Sequence, residues 1–336
     1  MAQDAARGER SRVPAFIEPM LASQAREELP DDPRYAYEWK WDGYRAVMRV
    51  AADGTTRLTS RNDKDFTGRF PILGEAMGDA LEGRQAVLDG EIVALDEHGR
   101  PDFGLLQNYA TSDDVPVAYF VFDVLLLGGD RLMDEPYERR RAVLEGIEPP
   151  DKNLVAITPS YSHADLSASG MSPADLLDVA KDRGLEGLVV KAIQSKYVPG
   201  GRSPEWIKHP LIQTIEVVVC GWRSGQGRRD GMIGALLLGA LDPGSGDLVY
   251  IGDVGTGFNN QALIDAKKKL APLARKTSPF ADEVPRDRAK DAHWVKPDLV
   301  GEVVYRQFTP REHRLRHTAW RGWRPDKQPA DVQVPE

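Results

Sequence analysis

The spacing of apolar residues divides this chain into a mixed first part and a strand-rich second part. After Gly43 an apolar-rich stretch runs to Val50 and reads as a strand, and Asp53-Gly54 reads as the hairpin turn behind it. Phe66, Phe70, Leu73, Met77 and Leu81 recur at steps of three and four, which predicts a helix over 66–82. Residues 87–95 and 117–127 read as buried strands. Ser172-Pro173 supplies the cap and first-turn proline of a helix that Gly184 closes, and 185–192 returns as a strand. Beyond Pro210 the character changes. Short strands are predicted at 215–221, 234–241, 248–251 and 301–308, separated by Gly-rich turns, with one helix over 261–273. Gly252-Asp-Val-Gly255-Thr-Gly257 lacks both the Walker lysine and the Rossmann glycine spacing, so it reads as a turn with bulges. Five or so short strands with a single helix suit a small closed barrel such as an OB-fold. The expected organisation is a flexible leader over 1–13, an α+β domain over 14–212 and an all-β OB-fold domain over 213–336.

Composition narrows this picture. With 336 residues, 41% of them hydrophobic, the chain has enough material for two cores. Cys220 is the only cysteine, which excludes a disulfide framework and a cysteine-based zinc site. No secretory signal is evident, and no apolar run approaches the roughly 20 residues of a membrane helix. A cytoplasmic location and no membrane partner are therefore expected. The net charge of −8 is unevenly spread: residues 213–336 hold 19 Lys and Arg against 16 Asp and Glu, which leaves 25 against 36 before them. Within 306–327 stand Arg306, Arg311, Arg314, Arg316, Arg321, Arg324 and Lys327 against only Glu312 and Asp326, interleaved with His313, His317, Trp320 and Trp323. Such a local basic face, rather than a basic whole, is what polyanion binding needs.

The chemistry concentrates in Glu38-Trp39-Lys40-Trp41-Asp42-Gly43-Tyr44-Arg45. Apolar burial and like-charge neighbours both lower a lysine pKa, which would ready Lys40 to attack a carbonyl or a phosphate. The competing reading is a β-hairpin with a tight Asp-Gly turn, both tryptophans on one face and Lys40 in solvent. Further clusters sit at strand ends or turns: Ser60-Arg61-Asn62, Asp89-Gly90-Glu91, Phe122-Asp123, Glu186-Gly187 through Lys191, and Trp206-Ile207-Lys208. Two apart on a strand, Asp89 and Glu91 point to one face, as a hard-cation or ribose site requires.

Taken in order, these clusters resemble the six motifs of the ATP-dependent DNA ligases, members of the covalent nucleotidyltransferase superfamily. The resemblance is nearest to the bacterial non-homologous end-joining ligases, known as the ligase domain of ligase D and as stand-alone relatives. It covers nearly the whole chain, from Pro19-Met20-Leu21-Ala22 to Arg324-Pro325-Asp326-Lys327. It implies a nucleotidyltransferase (adenylation) domain followed by an OB-fold. Lys40 is implied to take AMP from ATP as a phosphoramidate, Glu38 to read the adenine amino group, and Phe122 to stack on adenine. Arg45 and Arg61 would hold the ribose or the nick, and Glu91 would contact ribose or metal. Glu186 is an implied ligand of Mg²⁺ or Mn²⁺, and Lys191 and Lys208 are implied to face the α-phosphate. Asp42 would help organise metal-assisted attack, and Arg324, Asp326 and Lys327 would orient the pyrophosphate. Nicked or broken double-stranded DNA, a Ku-type end-binding partner and a monomeric state come with the same resemblance. An RNA ligase, an mRNA-capping guanylyltransferase and a non-catalytic nucleic-acid-binding relative are the alternatives. One departure is visible: where the fifth motif usually carries a second lysine, this chain has Pro210, with His209 as a weak substitute.

Overall fold

The computed structural model describes residues 14–25, 28–78, 81, 83–109, 115–149, 151–225, 232–309 and 314–334. The expected leader over 1–13, and Arg311, Glu312 and His313 of the basic run, lie outside the described residues. The chain divides into two compact units, Met1–Leu211 and Ile212–Glu336.

The first unit is built on two sheets. Its strands are β1 (Leu21–Gln24), β2 (Tyr35–Trp39), β3 (Tyr44–Val50), β4 (Thr56–Ser60), β5 (Ala86–Ala94), β6 (Val117–Leu127), β7 (Asp130–Arg131), β8 (Val155–Ile157), β9 (Ser160–Ser162), β10 (Gly187–Ala192) and β11 (Arg202–Pro210). One sheet runs β1-β11-β10-β2-β9; the other runs β4-β3-β5-β6-β7, with β8 beside β6. Alternation along the strands sorts each sheet into an outer core and an inner face. Tyr44, Ala46 and Met48 of β3 pack into a large apolar core with Phe66, Phe70, Leu73 and Met77. Tyr37, Leu188 and Val190 pack outward against Leu176 and Ala180 of the helix Pro173–Asp182. Between the sheets, Val47, Val87 and Leu125 of one meet Trp206 of the other. The cleft that holds the polar motifs opens on these inner faces.

The hairpin reading of residues 38–45 does not hold. β2 and β3 lie in different sheets, so the four residues between them carry the chain from one to the other. Glycine is required there, because a Cβ on Gly43 would stand 2.0 Å from the Ile92 carbonyl oxygen of β5. The helix expected over 66–82 is shorter, Pro71–Gly78, although Phe66, Phe70, Leu73, Met77 and Leu81 are all buried. Proline at the first position restricts the residue before it to non-helical backbone, and that starts the helix late. Ser172 caps its helix reciprocally with Asp175, and Gly184 ends it at φ +69°.

The second unit holds β12 (Thr214–Ser224), β13 (Ile233–Leu241), β14 (Leu248–Val254), β15 (Ala292–Val304), β16 (Gln307–Thr309), β17 (Arg314–Arg316) and β18 (Ala319–Trp323). Its main sheet runs β14-β13-β12-β15-β18 with every neighbouring pair antiparallel, and β16 pairs β17 as a hairpin. This is the half-barrel of an OB-fold, with the helix Asn260–Leu270 between β14 and β15. The Trp320 amide donates to the Thr256 carbonyl across the gap between the outer strands (2.9 Å). The strand expected over 301–308 divides into the end of β15 and β16. The first half of β15 escapes the apolar pattern because it alternates polar residues and contains Pro297, set opposite a register break in β12. The turn expected over 252–257 is shorter: Gly252 (φ +135°) lies within β14 at the register shift opposite Leu238 and Gly239, and the chain bends only at 256–257, where Gly257 has φ +86°.

Candidate active site

Strand register assigns the site residues to faces. In the β2–β10–β11 ladder, Glu38 lies opposite Val189 and Val189 opposite Lys208, while Ala36, Lys191 and Trp206 form the adjacent row. Glu38, Lys191, Trp206 and Lys208 therefore share the inner face. The next row pairs Gly187 with Pro210, and the Lys40 amide continues the ladder by donating to the Gly187 carbonyl (2.9 Å). Gly187 has φ +134°, and a Cβ on it would lie 2.2 Å from the His209 carbonyl oxygen. Glycine here lets β11 approach and turns Glu186 toward Lys40.

Two lysine–carboxylate pairs result. Lys40 Nζ stands 2.5 Å from Glu186 Oε2, with side chains 22% and 8% exposed. Lys191 Nζ stands 2.7 Å from Glu38 Oε2, with side chains 2% and 3% exposed. Lys40 was expected to be readied by like-charge neighbours. It has instead the Glu186 carboxylate in contact. Burial pushes the Lys191 ammonium below the usual lysine value, and Glu38 beside it offsets this only in part. The Tyr137 hydroxyl donates to Glu38 Oε1 and lies 2.8 Å from Ser160 Oγ.

The second sheet supplies the other wall. The Phe122 ring is partly exposed, with the Arg45 guanidinium 4.7 Å and Lys191 Nζ 4.8 Å from its centroid. Arg45 makes a bidentate pair with Asp89 (2.7 and 2.6 Å), and the Tyr197 hydroxyl donates to Asp89 as well (2.6 Å). Asp123, next to Phe122, is buried and holds Arg140 through two bonds (2.8 and 2.9 Å). Trp41 packs on Phe120, with ring centroids 4.2 Å apart.

Several expectations need correcting. Asp89 and Glu91 do share a face, but Arg45 and Tyr197 occupy Asp89, so they do not form a two-carboxylate cation site. Lys191 was expected at the α-phosphate, yet its ammonium lies deep beside Glu38 and Phe122. Arg45 acts first as a clamp on Asp89. His209 cannot replace the lysine missing at Pro210, because alternation places it on the outer face with Leu188 and Trp39. Arg61 follows β4 in a turn, half-exposed, and no hydrogen bond or ion pair among the described residues ties it to Lys40 or Phe122.

Among the described residues no three or more His, Cys, Asp or Glu side chains cluster into a metal cage. The expected ligands Glu186, Glu91 and Asp42 therefore form no three-carboxylate cage, and Glu186 is in contact with Lys40; a single carboxylate such as Glu186 suits a hard divalent cation whose other ligands are substrate phosphate and water. In the second unit, Arg324 makes a bidentate pair with buried Asp326 (2.9 and 2.7 Å), Glu302 lies 3.6 Å from Arg324, and Lys327 pairs with Glu216 (3.0 Å). Trp320 is buried in that unit's apolar cluster, and Trp323, partly exposed, packs against it. Arg314 lies over the Tyr250 ring and donates to the Tyr250 carbonyl.

The profile of the ATP dependent DNA ligase domain matches residues 19–209, and that of the ATP dependent DNA ligase C terminal region matches 229–327. This chain belongs to the ATP-dependent DNA ligase family. It is 39% identical over 317 residues to the multifunctional non-homologous end joining DNA repair protein LigD of Mycobacterium tuberculosis, covering 94% of this chain and 39% of that protein. With LigD of Mycolicibacterium smegmatis it shares 40% identity over 319 residues, covering 95% of this chain and 40% of that protein. The chain thus spans about two fifths of the length of these ligase relatives. It also resembles the solved structure of mycobacterial DNA ligase D complexed with ATP and MES (TM-score 0.64, 36% identity, 95% of this chain and 98% of that one). The ligase domain of M. tuberculosis LigD is similar at a TM-score of 0.50 and 37% identity, covering 95% of this chain and 98% of that one.

No sequence signal identifies Tyr137, Ser160 and Tyr197 as parts of this candidate site. They lie in stretches without a motif and reach it only through the fold.

Proposed function

We propose that this chain seals nicked or broken double-stranded DNA through three nucleotidyl transfers. In the first, neutral Lys40 Nζ attacks the α-phosphorus of ATP. A P–N bond forms, the bond to the bridging oxygen breaks, and pyrophosphate leaves. The Glu186 carboxylate in contact with Nζ is the acceptor in place for the proton that leaves the ammonium. In the second, a DNA 5′-phosphate oxygen attacks the adenylate phosphorus and displaces Lys40. In the third, the adjacent 3′-hydroxyl attacks that 5′-phosphate, the phosphodiester forms and AMP departs.

The observation that carries this reading is the Lys40–Glu186 contact on a face shared with Glu38, Lys191 and Lys208. Phe122 offers a ring for adenine, with Arg45 and Lys191 holding it in place, and Glu38 reads the amino group. Lys208 faces the phosphates, and Arg61 serves the ribose or the nick. Glu186 would hold Mg²⁺ or Mn²⁺ together with substrate phosphate and water, and the ion would supply positive charge to the phosphate oxygens. Arg324, Asp326 and Lys327 orient the leaving pyrophosphate. The end-joining descriptions of the LigD relatives support action on double-strand breaks. A Ku-type partner, a monomeric state and a cytoplasmic location belong to the same reading; no helix among the described residues is long and apolar enough to cross a membrane.

The test is incubation with α-labelled ATP, followed by nick sealing with ATP, GTP or NAD. We expect covalent AMP and ATP-dependent sealing; preferential transfer of GMP would overturn the assignment. Within the basic run, Arg306 and Arg316 are exposed on the β16–β17 hairpin and are the members we assign to DNA. Alanine at both should lower the slope of log affinity against log salt by about 2. An unchanged slope would remove them from the DNA surface.

A further inference from the structure

The most constrained group in the cleft is Glu38. Its carboxylate is buried, and each oxygen already has a donor: Tyr137 Oη–H on Oε1 and Lys191 Nζ on Oε2. Tyr137 is itself fixed. Its ring is 2% exposed, its amide donates to the Ser195 carbonyl (2.8 Å), and three residues on Arg140 ties the same helix, Tyr137–Glu145, to Asp123 beside Phe122. Because the phenol proton goes to Glu38, the Ser160 hydroxyl behind it donates to the Tyr137 oxygen (2.8 Å). Donation then runs from Ser160 to Tyr137 and from Tyr137 to Glu38, with Lys191 donating from the other side. Such a chain gives the carboxylate one orientation.

The charge state matters for base choice. An ionised carboxylate only accepts, so it suits the exocyclic amino group of adenine and repels the 6-oxo group of hypoxanthine or guanine. A protonated Glu38 would carry an O–H able to donate to that oxygen. We propose that Tyr137 is a specificity-positioning residue. Its hydroxyl, with Lys191, holds Glu38 as an acceptor-only carboxylate aimed at the 6-position of the purine, and so enforces ATP over 6-oxo purine triphosphates. This rests on the reading of Glu38 as the adenine contact. Burial raises the phenol well above the usual tyrosine pKa, with Glu38 adding to the effect, so Tyr137 remains a donor at neutral pH.

The experiment measures single-turnover covalent labelling of the full chain by α-labelled ATP and α-labelled ITP, which differ at the 6-position and in the N1 proton. Tyr137→Phe keeps the ring and removes only the hydroxyl. The ATP-over-ITP rate ratio should fall about tenfold, as loss of a hydrogen bond to a charged group predicts. Loss of packing alone would slow both nucleotides alike and leave the ratio unmoved. Ser160→Ala, which removes only the donor behind the phenol, should lower the ratio about twofold and serves if Tyr137→Phe folds poorly. An unchanged ratio in both variants, beside a reduced ratio in Glu38→Gln, overturns the role of Tyr137 and leaves Glu38 as the base contact. An unchanged ratio in Glu38→Gln overturns the reading of Glu38 itself, and the proposal with it.

Discussion

Two lysine–carboxylate pairs join β2 to β10, with opposite polarity and different access to solvent. At the deep end β2 supplies the carboxylate, Glu38, and β10 the lysine, Lys191, with both side chains at most 3% exposed. At the outer end the chain after β2 supplies the lysine, Lys40, and the residue before β10 the carboxylate, Glu186, with 22% of the lysine side chain exposed. The chemistry is the same and the surroundings differ. A pair cut off from water is costly to break, because removing one partner leaves a buried charge with no compensation, so it suits holding a geometry. A pair that water reaches exchanges partners at low cost, so it suits a lysine that must leave its carboxylate to react. Charge pairing alone therefore does not distinguish a reacting lysine from a structural one. Solvation does.

The largest test of the contrast is chemical. Lys40→Ala should abolish covalent AMP labelling, a loss of at least about 1,000-fold for a removed nucleophile. Full labelling of that variant would sink the mechanism. The second test is energetic. Lys191→Met leaves Glu38 buried and charged, and should cost about 3–5 kcal/mol in a urea titration. Adding Glu38→Gln should recover a large part of that, which a double-mutant cycle measures. A cost under about 1 kcal/mol would place Lys191 with the solvent-accessible class of pairs.

The smallest test extends the contrast to the second unit. Burial pushes the Asp326 carboxyl up, but Arg324 and its two hydrogen bonds outweigh this and hold it below the usual aspartate range. With the folded value depressed, the unfolded state binds more protons in this window. The stabilisation is therefore present above the ordinary value of about 3.9 and lost as pH falls through the depressed one. Urea midpoints between pH 5 and pH 3 should fall more steeply for the parent protein than for Asp326→Asn. Parallel curves would show that Asp326 carries no such linkage.

The legibility of the site follows distance along the chain. Lys40, Asp42 and Gly43 stand in one motif, and their residue types announce chemistry before any fold is known. The need for Gly43 was not legible, since it arises from the Ile92 carbonyl of another strand. Asp89 and Glu91 were correctly placed on one face, because strand alternation is local. Which of them is available was not legible, since Arg45 and Tyr197 reach Asp89 across 44 and 108 positions. His209 shows the same rule from the other side: its neighbour Lys208 is on the inner face, and a period of two excludes His209 from it. The basic run misled in part. Trp320 and Trp323 sit among charges in the sequence, yet the register shift between Glu302 and Val303 brings both to one face of β18, where Trp320 is buried in the half-barrel core and Trp323 packs against it.

The order of the motifs, the β-rich second half and Lys40 as the candidate nucleophile were legible in the sequence alone, because each depends on residue type and short-range spacing. Tertiary structure decided which lysine is sealed and which is reachable, which carboxylate each one meets, and that Tyr137 stands behind Glu38. Those outcomes depend on strands brought together from distant parts of the chain and on the water they exclude, and neither is encoded in any local pattern.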